Sequence, residues 1–196
     1  SKLWPDAQFA AGPPVENGFY YDLELSHRIS PDDFEAIEAE MTKVVKENQT
    51  FERISVSREE ALELAQSGRL AALGDRDAPS TFKIDLLKDI PEGEEISIYK
   101  NGDFWDLCAG PHVPRTGNCK AFKLMSVASA FYKGDASNPQ LQRVYGTAFK
   151  NKTQLAEYLE QLEEAKKRDH RKIGRELGLF HFDESVGQGL VLWKPK

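Results

Sequence analysis

The apolar positions of this chain switch between two periods, and each switch marks an element. AQFAAGPPVENGFYYDLEL (7–25) reads as two extended segments joined by a Gly-Pro-Pro loop and a turn at Asn17-Gly18, with Phe19, Tyr20 and Tyr21 favouring strand. Ser30-Pro31-Asp32-Asp33 offers an N-cap, a first-turn proline and carboxylates that suit a helix N-terminus. Phe34, Ile37, Met41, Val44 and Val45 follow at helical spacing, which predicts an amphipathic helix over residues 31–48. FERISV (51–56) has strand character, and Ser57 to Glu60 has the spacing of a capping box that opens a second helix ending near Gly68. TFKIDLLKDI (81–90) fits neither period cleanly, because Phe82, Ile84, Leu86 and Leu87 fall on no single face.

The strongest local signal is ISIYKNGDFWDL (96–107), where Asn101-Gly102 between apolar-aromatic runs predicts a hairpin with a type I′ turn. DLCAGPH (106–112) then sits where the second hairpin strand runs out, a place where a sheet fixes the direction of functional side chains. KAFKLMSV, SAFYKG and LQRVYGTAF read as three further short strands. From Lys152 the period becomes helical again: Leu155, Tyr158, Leu159, Leu162 and Ala165 predict a long helix to about residue 173, with Gly174 and Gly178 marking its end. The apolar tail LGLFHFDESVGQGLVLWKPK reads as the beginning of a further domain.

Composition narrows the class. With 40% hydrophobic and 30% charged residues over 196 positions the chain is that of a folded protein with a sizeable core. No apolar run reaches the roughly 20 residues needed to cross a bilayer, and SKLWPDAQ lacks the order of a secretion signal, so the expected address is cytoplasmic, with no membrane partner. Two cysteines, Cys108 and Cys119, make no disulfide framework. A net charge of −6 excludes a protein that coats nucleic acid indiscriminately. It leaves room for a local basic surface at Lys166 to Arg175, where six cations stand against Asp169, although charge alone favours a solvated helix face.

Three chemistries compete for Cys108 and His112. Their C-x3-H spacing suits zinc, but a tetrahedral site takes three or four protein ligands, and His27, His170 and His181 lie in no partner motif. As a nucleophile pair, His112 would lower the thiol pKa and Asp106 would orient the imidazole. As structure, Cys108 is a small buried residue and His112 satisfies a loop carbonyl. Lys83 is either a surface lysine laid along apolar neighbours or a cation directed into a cleft. Tyr20 and Tyr21 read as core and rim of a sheet, and Arg143 and Lys133 as solvent-facing strand residues.

Several stretches together resemble one family. DLCAGPHVPRTG, KAFKLMSVASAFYKGD, LQRVYGTAF and LEEAKKRDHRKIGRELGLFHF, with GPPVENGFYYD near the start, are collinear with threonyl-tRNA synthetases over essentially the whole chain. The resemblance implies an α+β fold, an antiparallel sheet with flanking helices followed by a long linker helix. It divides the chain into an editing (second additional) domain at 1–150, a linker helix at 151–175 and the start of a class II catalytic domain at 176–196. A synthetic site cannot strongly reject serine, because one methyl group is worth only about 1–3 kcal/mol, so a second pocket hydrolyses the serine ester. In the family that pocket combines an HxxxH pair with a CxxxH pair. By motif, Cys108 and His112 are the CxxxH pair, Asp106 the acid of DLC, Lys83 the lysine of the FK segment and Tyr21 the second tyrosine of GFYYD.

The resemblance implies that Lys83 and Tyr21 contact the terminal adenosine or the ester, while Cys108, His112 and Asp106 surround the water and the serine side chain. The implied partner is the 3′ end of tRNA(Thr) carrying serine. No cofactor is implied here, although Cys108 and His112 become possible metal ligands once an HxxxH pair joins them. The resemblance further implies a parent threonine–tRNA ligase with ATP and zinc expected in its catalytic core, and a homodimer expected through other domains. No HxxxH occurs in the sequence, and SKLWPDAQ resembles the family just after that motif, so the stretch alone is expected to be inactive. Two other readings remain: a tRNA-binding module without chemistry, docked through Lys166 to Arg175, and a free-standing zinc-dependent hydrolase.

Overall fold

A computed structural model describes residues 1–183, 186–187 and 190–195. The chain forms two compact units, Ser1–Lys152 and Thr153–Lys196. In chain order the first contains β1 (Gln8–Phe9), β2 (Pro14–Val15), β3 (Gly18–Glu24), α1 (Phe34–Glu47), β4 (Phe51–Val56), α2 (Arg58–Gln66), α3 (Thr81–Asp89), β5 (Ile96–Asn101), β6 (Phe104–Leu107), β7 (Ala121–Phe131) and β8 (Gln140–Phe149). They make two antiparallel sheets, one of order β1-β3-β8-β7 with β2 also on β3, the other of order β4-β5-β6. The expected α+β fold with helices beside antiparallel sheets is what forms.

Each sheet carries an apolar core on one face. On the larger, Leu23, Leu124 and Val144 pack with Ile29 and Phe34, and Ile37 and Met41 of α1 lie against them. On the smaller, Ile96 and Ile98 alternate inward and meet Ala61 and Ala65 of α2 and Leu87 of α3. Removing one such aliphatic chain from water contributes about 1.5–3 kcal/mol, which is what locks the register of strands this short.

The caps predicted from sequence are present. Ser30 and Asp33 form a reciprocal capping box around a 3-10 turn (Pro31–Asp33) that leads into α1, and Ser57 and Glu60 do the same for α2. The ambiguous segment is helical, as α3.

Three expectations need correction. The first hairpin turns one residue early, because Gly18 already pairs in β3, where a Cβ would come within 2.1 Å of the Gly146 carbonyl oxygen. In the second, Asn101 pairs with Phe104 and the loop is Gly102-Asp103; only Gly102 has a positive φ, so the turn is not type I′, which needs positive φ at both positions. KAFKLMSV and the SAF of SAFYKG are one strand, β7, bent by a bulge between Leu124 and Ser126 that absorbs the break in alternation, while Tyr132–Gly134 is a 3-10 turn rather than strand.

The second unit is described by itself. The helix predicted from Lys152 runs as α4 (Lys152–Lys167) and resumes as α5 (His170–Glu176), because the Asp169 side chain accepts the Arg171 amide and caps a new start. Gly174 lies inside α5, where a Cβ would meet Phe180 at 2.2 Å, and Gly178 at φ +64° ends the run. β9 (Phe180–Phe182) and β10 (Val191–Trp193) pair antiparallel. The expectation that 176–196 begins a further domain falls partly on residues 184–185, 188–189 and 196, outside the described residues.

Candidate functional site

Period-two alternation in β5 and β6 decides where the chemistry faces. Ile96 and Ile98 point into the core, so Ser97 and Tyr99 point the other way, and Asp106, the cross-strand partner of Tyr99, shares their face. The ladder then continues one step past β6: the Cys108 amide donates to Ser97 O (3.1 Å) and Ser97 Oγ donates to Cys108 O (2.7 Å). Cys108 therefore leaves the sheet with its direction fixed.

Gly110 turns the chain back. At φ +77°, any Cβ there would lie 2.1 Å from the Tyr99 hydroxyl, so only glycine lets the backbone pass over that ring. Its amide donates to Cys108 Sγ (3.3 Å), and His112 Nε2 comes to 3.2 Å from the same sulfur. The imidazole rests against Tyr99 (centroids 4.2 Å) and Phe51 (5.0 Å, planes 25° apart). Partial burial pulls the His112 pKa below its ordinary value, against an opposing pull from the Asp106 charge. An imidazole held neutral beside a thiol can accept a proton from water or from sulfur.

A second group gathers on Asp106. Its Oδ2 accepts from Tyr21 Oη (2.7 Å) and Lys83 Nζ (3.1 Å); its Oδ1 accepts from Lys83 (2.9 Å) and from the Leu107 amide (2.8 Å). Lys83 also donates to Ala10 O just after β1 (2.8 Å), so its ammonium meets three acceptors. It is 2% exposed, on the face of α3 that also buries Leu87. Of its two sequence readings, the cation aimed inward is the one that forms. Burial first, and then the Asp106 charge, raise the Tyr21 pKa well above its ordinary value.

All five residues singled out by sequence thus fall into two bonded sets, Tyr21–Asp106–Lys83 and Cys108–His112, which feel each other's charge. Beside them an apolar groove of about 620 Å³ opens between α1 and the larger sheet; Trp4, Phe19, Met41 and Leu124 line it, and Tyr21 and Phe51 belong both to it and to the site. Ser97, Tyr99 and Phe51 escaped the sequence reading, although alternation outward from the apolar Ile96 and Ile98 would have placed the first two beside Asp106. The Ala10 carbonyl carries no side-chain signal at all.

Other assignments change. Arg143 is not solvent-facing: it holds the buried Asp22 carboxylate with two hydrogen bonds (2.6 and 2.7 Å) and lies over the Tyr20 ring. Lys133 is exposed, as expected, and pairs with Asp85 and Asp89. In the basic run, Lys166, Lys167, Arg168 and Arg171 each pair with a carboxylate of their own segment. Among the described residues no three His, Cys, Asp or Glu side chains converge as metal ligands would, so Cys108 and His112 supply at most half of a tetrahedral set.

Residues 96–145, which hold β5, β6, the Cys108–His112 loop and β7, match the threonyl and alanyl tRNA synthetase second additional domain. Over 195 residues, all of this chain, it is 52% identical to the threonine–tRNA ligase of Geobacillus kaustophilus (strain HTA426), covering 28% of that protein. It is 51% identical to that of Clostridium tetani (strain Massachusetts / E88) and 52% identical to threonine–tRNA ligase 1 of Bacillus subtilis (strain 168), covering 29% of each. The chain therefore spans less than a third of the length of the curated relatives it matches.

Proposed function

The chain belongs to the threonyl-tRNA synthetase family, as a stretch that carries the second additional domain, and from that premise we propose that residues 1–150 serve hydrolysis of serine wrongly esterified to tRNA(Thr). The observation that carries the proposal is the contact of His112 Nε2 with Cys108 Sγ, beside a half-buried carboxylate on the same sheet face. His112, favoured as neutral imidazole, accepts a proton from a water as that water attacks the ester carbonyl carbon. The C–O bond to the ribose then breaks, and the imidazolium returns the proton to the ribose oxygen. Cys108 holds the imidazole edge and borders the small acyl group.

The remaining residues act through position. Every acceptor direction of Asp106 is occupied by Tyr21, Lys83 or the Leu107 amide, which supports a role for Lys83 and Tyr21 in fixing the strand end and its charge near His112. In the family an HxxxH pair completes the pocket, and the groove that shares Tyr21 and Phe51 with the site offers such a helix an apolar seat next to both sets. If that pair brought a metal, Cys108 and His112 are the residues here that would hold it, and the ion would polarise the attacking water.

The wider reading follows from the same premise. The whole protein ligates threonine to tRNA(Thr) with ATP in the cytoplasm, as a homodimer with zinc in its catalytic core; residues 151–175 are the linker and 176–196 the entrance to that core. Docking through the basic run without chemistry is less well supported, since its cations are largely answered by neighbouring carboxylates.

Deacylation of seryl-tRNA(Thr) by the full-length enzyme tests the proposal. His112→Ala should slow hydrolysis on the order of 100-fold while threonine ligation persists. Unchanged hydrolysis would remove His112 from the chemistry.

A further inference from the structure

We propose that Phe51 and Tyr99 are positioning residues that clamp the His112 imidazole against Cys108. The kinetic part of this inference rests on the hydrolytic reading above; the structural part does not. His112 sits on an irregular, exposed loop, where a side chain ordinarily keeps its rotamer freedom. Both ends of that loop are stitched to the smaller sheet. At one end Cys108 exchanges two hydrogen bonds with Ser97. At the other, the Phe51 amide donates to Pro114 O (3.0 Å), and Thr116 N donates to Gln49 O (2.9 Å). Those bonds place the His112 backbone and leave the direction of its ring open.

The ring is then set by three contacts: the sulfur at Nε2, the Tyr99 face at 4.2 Å and the Phe51 face at 5.0 Å. Phe51 and Tyr99 stand on the same sheet face, diagonally across β4 and β5, since Tyr99 pairs with Arg53 and Phe51 lies two residues away. Offset ring contacts of this kind favour particular geometries rather than simply filling space. Tyr99 also dictates the path into the loop, because its hydroxyl occupies the space a Gly110 side chain would need. Phe51 is shared with the apolar groove, so whatever fills that groove bears on the ring that holds His112.

The test reads ring-current displacement of the His112 ring protons by NMR on protein labelled with ¹³C-histidine, assigned with His112→Asn. In the unmutated protein these protons should be displaced from the free-imidazole position. Tyr99→Leu and Phe51→Leu, which keep the backbone bonds and apolar bulk, should move them back; Tyr99→Phe, which keeps the ring, should not. In seryl-tRNA hydrolysis by the full-length enzyme, the leucine variants should lower kcat on the order of 10-fold to 100-fold at unchanged KM, with Tyr99→Phe rescuing. An undisplaced His112 ring in the unmutated protein overturns the clamp, and this needs no variant to fold. A leucine variant whose ring signals move while kcat holds overturns the positioning role in hydrolysis. An unmutated enzyme with no hydrolysis would overturn the hydrolytic reading, and the ring shifts would still decide the clamp.

Discussion

Asp106 and Cys108 stand two residues apart on one sheet face, and their surroundings differ in kind. Asp106 receives four hydrogen bonds, two of them from a lysine that is itself buried, and the set it forms with Tyr21 and Lys83 is closed. Cys108 and His112 make one contact with each other, the imidazole alone rests on two aromatic rings, and the pair stays open at the loop. A closed set has no donor or acceptor to lend to a reactant without a large penalty, so its service is rigidity and a fixed charge. In the open pair the imidazole is reachable from the loop and its pKa is lowered, which is what accepting a proton from water requires.

The sharpest way to break that comparison is to open the closed set. Lys83→Met leaves the half-buried Asp106 without its cation and should cost about 2–4 kcal/mol of unfolding free energy, toward the lower end of the range for a broken buried pair, read from urea denaturation. Lys83→Met combined with Asp106→Leu should recover most of the loss, because an apolar pair needs no compensation there. If Lys83→Met alone were nearly neutral, the set would be open and its lysine available to substrate after all.

The converse substitution sharpens the same contrast from the other side. His112→Ala should leave stability within about 0.5 kcal/mol, as for an exposed loop residue, while removing hydrolysis worth on the order of 100-fold in rate. A large stability loss with His112→Ala would mark the open pair as architecture instead.

The sequence showed these two sets unequally, and the reason lies in Lys83. A lysine on the buried face of α3 breaks the apolar pattern at the position that would have revealed the helix: Lys83, Leu87 and Ile90 follow helical spacing once the lysine is counted as inward. The residue that made the segment unreadable is the one that anchors the site. The second hairpin, the N-cap at Ser30 and the capping box at Ser57 were legible because their signals are local. The bulge in β7, the partnership of Arg143 with Asp22 and the Ala10 carbonyl were not, since each depends on residues far away in the chain. For the site itself, motif resemblance named all five residues, and the fold divides them into two sets.

A milder probe of the closed set is Tyr21→Phe. It removes one donor to a carboxylate that keeps three other hydrogen bonds, so about 1–2 kcal/mol should be lost, less than for Lys83→Met and without loss of the fold.

The smallest effects come from pH, and there the two sets should fail at opposite ends. Tyr21 holds its proton more tightly in the folded state, because of burial and then the Asp106 charge. As pH rises past about 10, the unfolded chain releases that proton first, so stability that was complete at lower pH falls; Tyr21→Phe should remove this part of the alkaline loss. His112 holds its proton less tightly when folded, because of burial. As pH falls below about 6.5 the unfolded chain gains a proton first, and stability complete at higher pH declines through the folded pKa. His112 is only partly covered, so this acid component should be the weaker of the two, and His112→Asn should flatten it. Urea midpoints measured across both limbs for the two variants check the division. An alkaline limb that survives Tyr21→Phe unchanged would mean that the phenol feels neither the burial nor the carboxylate that define the closed set.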